Sequence, residues 1–317
     1  MKHTCKNFNI NVRNGLMNML LPQDAQRIVE NIFSRKNIEE KVLEDLRSSP
    51  EIVEKIGQGV EALTEWIQGD YYESKNKRLA RLLQLDLKHT VEEILVVVLQ
   101  LRAPTMLTSV VGQLAGNLNY SSKVDGIKTL AEILTILCEV DLFDIYKESI
   151  SGILTVSNIY ELDDETTEFI NRTKYLPPML CVPNKIKSNH DSGYLTVRDT
   201  MLLGKGNYHD GELCLDSINK FNAIPLSLDV RLLKSYEETS KKDLDTPEKE
   251  KAFNNMVRQS YRVYLDLIKQ GNHFYLTHKL DKRGRTYSQG YHVNPQGASY
   301  KKAILNFHHE ELIEGVY

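Results

Sequence analysis

The 317-residue chain is long enough for two or three domains and ample for a packed core. Its 41% apolar and 26% charged residues are ordinary for a globular protein, and a net charge of −3 excludes a surface coated uniformly in basic charge. The longest apolar run, Ile94–Leu99, falls far short of the ~20 residues that a membrane-spanning helix needs. Cys5, Cys138, Cys181 and Cys214 form no CxxC pair and read as free thiols of a reducing compartment. The polar Met1 end carries no apolar stretch of signal-peptide type, so a soluble, cytoplasmic protein with no membrane partner is expected.

Residues 1–23 have no clear period. From Asp24 to Leu46, apolar residues recur as in a helix pair or one broken helix. Ser49 then caps a helix that starts at Pro50, with Trp66 in its core face. The basic stretch Lys75–Arg81 reads as a solvated helix face or a DNA contact. Thr90-x-x-Glu93 has the form of a capping box opening an apolar helix that runs to Leu101 and breaks near Pro104. Two further stripes follow, Met106–Leu118 and Ile127–Leu142. Residues 1–150 are therefore expected to form one helical N-terminal domain.

The texture then changes. Glu161, Asp163, Asp164 and Glu165 look like a helix start, where carboxylates suit the dipole. Tyr175–Pro183 is proline-punctuated and extended. Short strands are expected at Asp191–Leu195 and Thr200–Leu203, in a mixed segment spanning 151–233. Gly204-Lys205-Gly206 lacks the frame of a phosphate-binding loop and reads as a turn. Residues 236–250 are highly charged, as in an exposed connection or the tip of a helical hairpin. The stripe from Phe253 to Ile268 then makes an amphipathic helix ending near Gly271.

The densest chemistry lies in the last segment. Phe274-Tyr275-Leu276 leads as a strand into Asp281, Lys282, Arg283, Gly284, Arg285 and Tyr287, followed by Asn294-Pro295-Gln296-Gly297 and Lys301-Lys302. In an extended segment, Arg283 and Arg285 would share one face, with Gly284 allowing close approach of a partner. Two planar cations beside an aromatic suit phosphate and sugar contacts. Between His273 and Leu305 the cations Lys279, Lys282, Arg283, Arg285, Lys301 and Lys302 stand against Asp281 alone, a balance of +5 that leaves −8 on the rest of the chain. A basic patch on an acidic body is the footprint of a nucleic-acid channel.

Asp281-x-x-Gly284-Arg285-x-Tyr287, with Asn294-Pro295-Gln296-Gly297 and then Lys302 before apolar Ala303, Ile304, Leu305 and Phe307, resembles the DxxGR segment of the single-subunit RNA polymerases of phages and mitochondria. Pro178-Met179, Val182-Pro183, Gly193-Tyr194 and Ile218-Asn219 extend the likeness backwards, whereas Leu226-Ser227-Leu228-Asp229 departs from the family's Trp-x-Ile-Asn. The resemblance implies a mainly α fold: a helical N-terminal domain, a short thumb at 234–271, and a small α+β part at 272–317 that begins a polymerase palm. It implies that Arg283 and Arg285 contact backbone phosphates of the template or the RNA–DNA hybrid. Tyr287 would pack on sugar or base, and Lys282, Lys301 and Lys302 would add charge. Asp281 would orient Arg285 or a backbone amide, while Gly284, Asn294, Pro295 and Gly297 shape the motif. Residues 303–307 would continue as an apolar helix.

In that family, two palm aspartates hold Mg²⁺ for nucleotidyl transfer, and they follow this motif, with the fingers helix. Neither has a counterpart before Tyr317. No Ser-His-Asp or Cys-His arrangement has sequence support, and His308-His309 reads as part of a helix face without metal partners of suitable spacing. The expectation is therefore a subunit of a split DNA-directed RNA polymerase, without catalytic or metal-binding residues of its own. It would bind template DNA and the RNA transcript. The second subunit would carry the aspartates, the fingers and Mg²⁺, and an accessory protein that opens the promoter or binds single strands would assist. The alternative is a polymerase-derived single-stranded-DNA-binding or regulatory module.

Overall fold

The computed structural model describes residues 20–309 except Arg102, Asn117, Asn119, Ile150 and Lys205. The fold is mainly α with small antiparallel sheets. In chain order the first elements are α1 (Pro22–Ile32), α2 (Arg35–Ser48), α3 (Pro50–Gln68), α4 (Glu73–Leu79), α5 (Leu87–Leu99), β1 (Thr105–Met106), α6 (Leu107–Leu114) and α7 (Lys123–Glu139). Then come β2 (Asp144–Lys147), β3 (Leu154–Ser157), α8 (Asp164–Thr173), α9 (Leu215–Asn222), β4 (Leu226–Leu228) and α10 (Val230–Ser235). The chain continues with α11 (Pro247–Lys269), β5 (His278–Leu280), β6 (Thr286–Ser288), α12 (Ser299–Ala303) and β7 (Leu305–Phe307). No helix among the described residues is long and apolar enough to cross a membrane.

Two compact units result. One is residues 35–171; the other joins residues 20–34 to 172–309. In the first, α5 is the central helix. Every residue from Ile94 to Leu99 is buried, which is what a helix apolar on all sides requires. It starts earlier than Thr90. Asp86 caps it by accepting from the His89 N–H at 3.1 Å, and the Thr90 hydroxyl donates to the Asp86 carbonyl, so no capping box forms at Thr90–Glu93. Of the Lys75–Arg81 cations, Lys77 and Arg81 are exposed, as on a solvated helix face, whereas Lys75 and Arg78 answer neither sequence reading. Arg78 is buried and bonds Thr129 at 2.8 Å and Glu132 at 2.9 Å, and Lys75 pairs with Glu132 and lies over the Tyr71 ring. They tie α4 to α7. A small sheet of order β1-β3-β2 closes the unit. Asp163 caps α8 by accepting from the Thr166 N–H, and Asp164 and Glu165 occupy its first turn.

In the second unit, α11 is the spine. Thr246 caps it, Gly271 at φ +95° ends it, and it buries Ser260, Tyr264 and Leu267. The last two pack with Phe274, Val293, Ile304 and Leu228. The helix follows an irregular arm, residues 236–246. Buried Glu30 on α1 accepts from the N–H groups of Leu195, Thr196 and Val197 and from the Thr196 hydroxyl, while Gln26 accepts from the Leu180 N–H. These bonds keep α1 with the later segment. The strands expected at 191–195 and 200–203 are absent, and only Leu202 makes a bridge, to Leu280. Side chains such as Glu30 and Asn184 satisfy that backbone instead of a ladder.

The apolar helix expected through Phe307 is also absent. Helix α12 ends at Ala303, and Leu305–Phe307 pairs antiparallel with β4, Leu228 opposite Leu305. The free edge of β4 and burial of Ile304 outweigh helical continuation. His308 accordingly lies beyond a strand, stacked on His273 at 4.1 Å, and not on a helix face. Cys5, Leu312 and Val316 lie outside the described residues.

Candidate nucleic-acid interface

Strands β5 and β6 form a hairpin, with Lys279 opposite Tyr287 and a loop from Asp281 to Arg285. The loop is a tight turn. The Gly284 N–H donates to the Asp281 carbonyl at 2.9 Å, and Gly284 takes φ +75°, a conformation that other residues adopt only with strain. Arg283 and Arg285 therefore do not share one face of an extended segment as expected. They project from the two arms of a turn, and the positive φ is what Gly284 supplies.

Asp281 holds the turn together. Its Oδ1 accepts from the backbone N–H of Arg283 at 2.8 Å and of Arg285 at 3.0 Å. Its Oδ2 accepts from Arg285 Nε at 2.8 Å, Arg285 Nη2 at 2.7 Å and the Tyr287 hydroxyl at 3.3 Å. Partial burial works to raise this carboxyl, but the backbone and side-chain bonds from Arg285, its charge and the Tyr287 hydroxyl outweigh that and hold it below its ordinary value. Both oxygens are committed, so Asp281 does not fit a Mg²⁺ ligand, and no group of three or more potential ligands occurs among the described residues.

Arg285 keeps half its side chain exposed while its guanidinium lies over the Tyr287 ring, 5.5 Å from the centroid. The Arg283 side chain is 70% exposed, and Lys282 and Lys302 are exposed too. Two of the counted cations are not surface charges. Lys279 pairs with Asp199 at 2.5 Å. Lys301, expected on nucleic acid, is buried and donates to the Tyr291 carbonyl at 2.7 Å. It sits in the last turn of α12, where Ile304 must enter the core, and that orientation turns its ammonium inward. The exposed patch is Lys282, Arg283, Arg285 and Lys302.

The Asn-Pro-Gln-Gly stretch is the hairpin's brace. Asn294 to Gly297 closes a turn by the Gly297 N–H to the Asn294 carbonyl at 3.1 Å, with proline at the second position. Pro295 is exposed. Asn294 Nδ2 donates to the Gly290 carbonyl at 2.8 Å. The Gln296 amide accepts from the Ser288 N–H at 2.8 Å and donates to the Thr286 carbonyl at 2.9 Å, pairing the outer edge of β6 as a third strand would. The inner edge of the hairpin is covered by Met201 and Leu203, whose backbones bond Leu280.

Residues not singled out from sequence complete the support. A Cβ on Gly290 would lie 2.3 Å from the Val293 carbonyl oxygen. Gly290→Ala is therefore expected to cost about 2 kcal/mol or more, read as a lower midpoint in denaturant. His292 is buried, bonded through Nδ1 to Ser260 Oγ at 2.9 Å, and its carbonyl accepts from the Tyr264 hydroxyl. His278 shares a 3.0 Å bond with Asn222. Burial pushes His292 down to about 4, with the Lys301 charge adding to it. Burial likewise pushes His278 down to about 4, against an opposing bond to the Leu276 backbone. Both stay neutral in the folded state while the unfolded chain protonates near 6.5. Stability is thus fully present above pH 6.5 and is lost as pH falls toward 4, by ~3 kcal/mol for the pair after allowing for partial solvent access. Denaturant titrations across that range should show the slope, and His278→Gln with His292→Gln should flatten it. A spaced His without an apolar pattern around it carries no sequence signal for such a role.

No protein-family model matches the chain, and no curated protein does either.

Proposed function

We propose that this chain is a subunit of a DNA-dependent RNA polymerase that binds template DNA and the RNA–DNA hybrid, with the Asp281–Gly297 hairpin as one wall of the nucleic-acid channel. The observation that carries the reading is the turn itself. One carboxylate clamps two backbone amides and a guanidinium, so that Lys282, Arg283 and Arg285 stand on a rigid tip. A rigid, braced cationic tip suits contacts to phosphates, which position a duplex without reading its sequence. Arg283 and Arg285 contact phosphates, Lys302 adds charge, and Tyr287 packs on a sugar or base.

The chemical step belongs elsewhere in this reading. Mg²⁺, the palm aspartates and the fingers are on a second chain, which together with an accessory DNA-opening factor makes the working enzyme. The chain alone therefore binds but does not polymerise. Fluorescence anisotropy with a short RNA–DNA hybrid carrying a single-stranded template extension tests the binding. Salt-dependent association that is lost on charge reversal of Arg283 and Arg285 is expected. Equal binding by the charge-reversed protein would remove the basis of the proposal. Preference for single-stranded DNA with no stable partner chain would instead favour a regulatory DNA-binding module.

A further inference from the structure

A second site lies away from the hairpin turn. The irregular arm at Tyr236–Glu238 and the α11 residues Phe253, Val257 and Tyr261 enclose a cleft of about 660 Å³. That volume is within the ~300–1,000 Å³ typical of ligand pockets. Its walls are aromatic and its mouth is open, since Tyr236 is 67% exposed. The arm is held in place by phenols: the Tyr300 hydroxyl donates to the Tyr236 carbonyl at 3.1 Å and accepts from the Tyr261 hydroxyl at 2.9 Å.

Glu238 lines this cleft and is 8% exposed. Its Oε2 is buried and has no hydrogen-bond partner among the described residues. A buried carboxylate oxygen left unpaired is costly, and native structures seldom leave one without a purpose. The Lys301 charge acts on Glu238, but Lys301 forms no ion pair with it among the described residues and donates to the Tyr291 carbonyl. On the rim, Lys234 and Glu237 carry opposite charges, which leaves the Glu238 carboxyl as the acidic group inside the cleft.

The missing partner must be cationic, must offer hydrogen-bond donors to a carboxylate, and must lie flat between aromatic rings. A guanidinium meets all three conditions: it is planar, pairs bidentately with carboxylate and stacks on aromatic faces. An ammonium meets only the first two. A phosphodiester is repelled by Glu237 and Glu238. We infer that this cleft receives an arginine side chain projecting from a protein partner, with Glu238 as its carboxylate receptor and Tyr236 and Phe253 as its stacking walls. This site stands independently of the polymerase reading, because it needs only a protein partner and shares no residue with the cationic tip.

The test uses the full chain and the probe peptide acetyl-Gly-Arg-Gly-amide, with its lysine and citrulline counterparts, in ligand-observed NMR titrations. Citrulline keeps the shape of arginine and loses the charge. The arginine peptide is expected to bind about tenfold or more tightly than the citrulline peptide, and Glu238→Gln should remove that preference. Tyr236→Ala, at an exposed side chain, should weaken binding about fivefold with an unchanged melting temperature. Where Glu238→Gln fails to fold, the arginine-to-citrulline ratio on the unaltered chain and the Tyr236→Ala result decide the matter. Equal binding of the two peptides, no binding of the arginine peptide, or displacement of it by a DNA oligonucleotide would overturn the inference.

Discussion

Replacing Arg283 and Arg285 together by Ala is expected to weaken binding to an RNA–DNA hybrid by roughly 100-fold at low salt. Each is a charge-assisted donor to a phosphate in the proposed channel, worth about 1.5 kcal/mol or more when lost. The salt dependence should change with it. Each lost phosphate contact takes ~0.7–0.9 off the slope of log affinity against log salt, so the pair should reduce it by roughly 1.5. Lysine replacements separate charge from geometry. Arg283→Lys keeps a charge at a highly exposed position and should retain most of the binding. Arg285→Lys cannot reproduce the paired Nε and Nη2 bonds to Asp281, so the turn loosens and more is lost. Asp281→Asn should resemble Arg285→Lys, since it weakens the clamp from the other side. Unchanged salt slopes in the double Ala variant would mean that the phosphates are held elsewhere.

The largest stability loss is expected at Glu30. Its carboxylate is fully buried and receives three backbone N–H groups and the Thr196 hydroxyl from a segment more than 160 positions away. Glu30→Gln keeps the shape but turns an N–H₂ group toward donors. A hydrogen bond to a charged group is worth about 1.5–3 kcal/mol, so losing those at one buried carboxylate oxygen is expected to cost about 3 kcal/mol, against ~0.5 kcal/mol or less for an ordinary surface change. Burial works to raise this carboxyl, yet the bonds from Thr196, Gln26 and the Leu195 and Thr196 backbone prevail and hold it below its ordinary 4.5. Its contribution is therefore present above pH 4.5 and lost below it, in a window distinct from that of the two buried histidines. Denaturant midpoints for Glu30→Gln at neutral pH, and their convergence with the unaltered chain under acid, measure both effects. A variant within 1 kcal/mol of the parent at neutral pH would show that the 195–197 segment is held by other contacts.

The helical stripes of residues 24–142 are legible because the period of 3.6 is repeated over several turns, and the same holds for α11 and its stop at Gly271. The small strands are not. Each has two to four residues, too few for alternation to register, and Leu305–Phe307 takes its conformation from the distant edge of β4. At the motif, the residue types point to a cationic surface, and four of the counted cations do lie exposed. What the spacing conceals is the turn at Gly284, the inward rotation of Lys301 and the edge-pairing amide of Gln296. Each of these is decided by a hydrogen bond to a backbone group that no local pattern marks. Arg78 and Lys75 are the same lesson in the helical unit, where two cations of a basic run are taken up by Glu132 and Tyr71.

The most direct measurement is RNA synthesis on a single-stranded template with Mg²⁺ and nucleoside triphosphates. This chain alone would be compared with the complex it forms with a partner chain purified from the same source. Synthesis is expected from the complex and not from this chain alone, with shorter transcripts when the complex carries Arg283→Ala and Arg285→Ala. Synthesis by this chain alone would contradict the assignment of the metal-binding aspartates to a partner, and full-length transcripts from the doubly substituted complex would contradict the role of the hairpin.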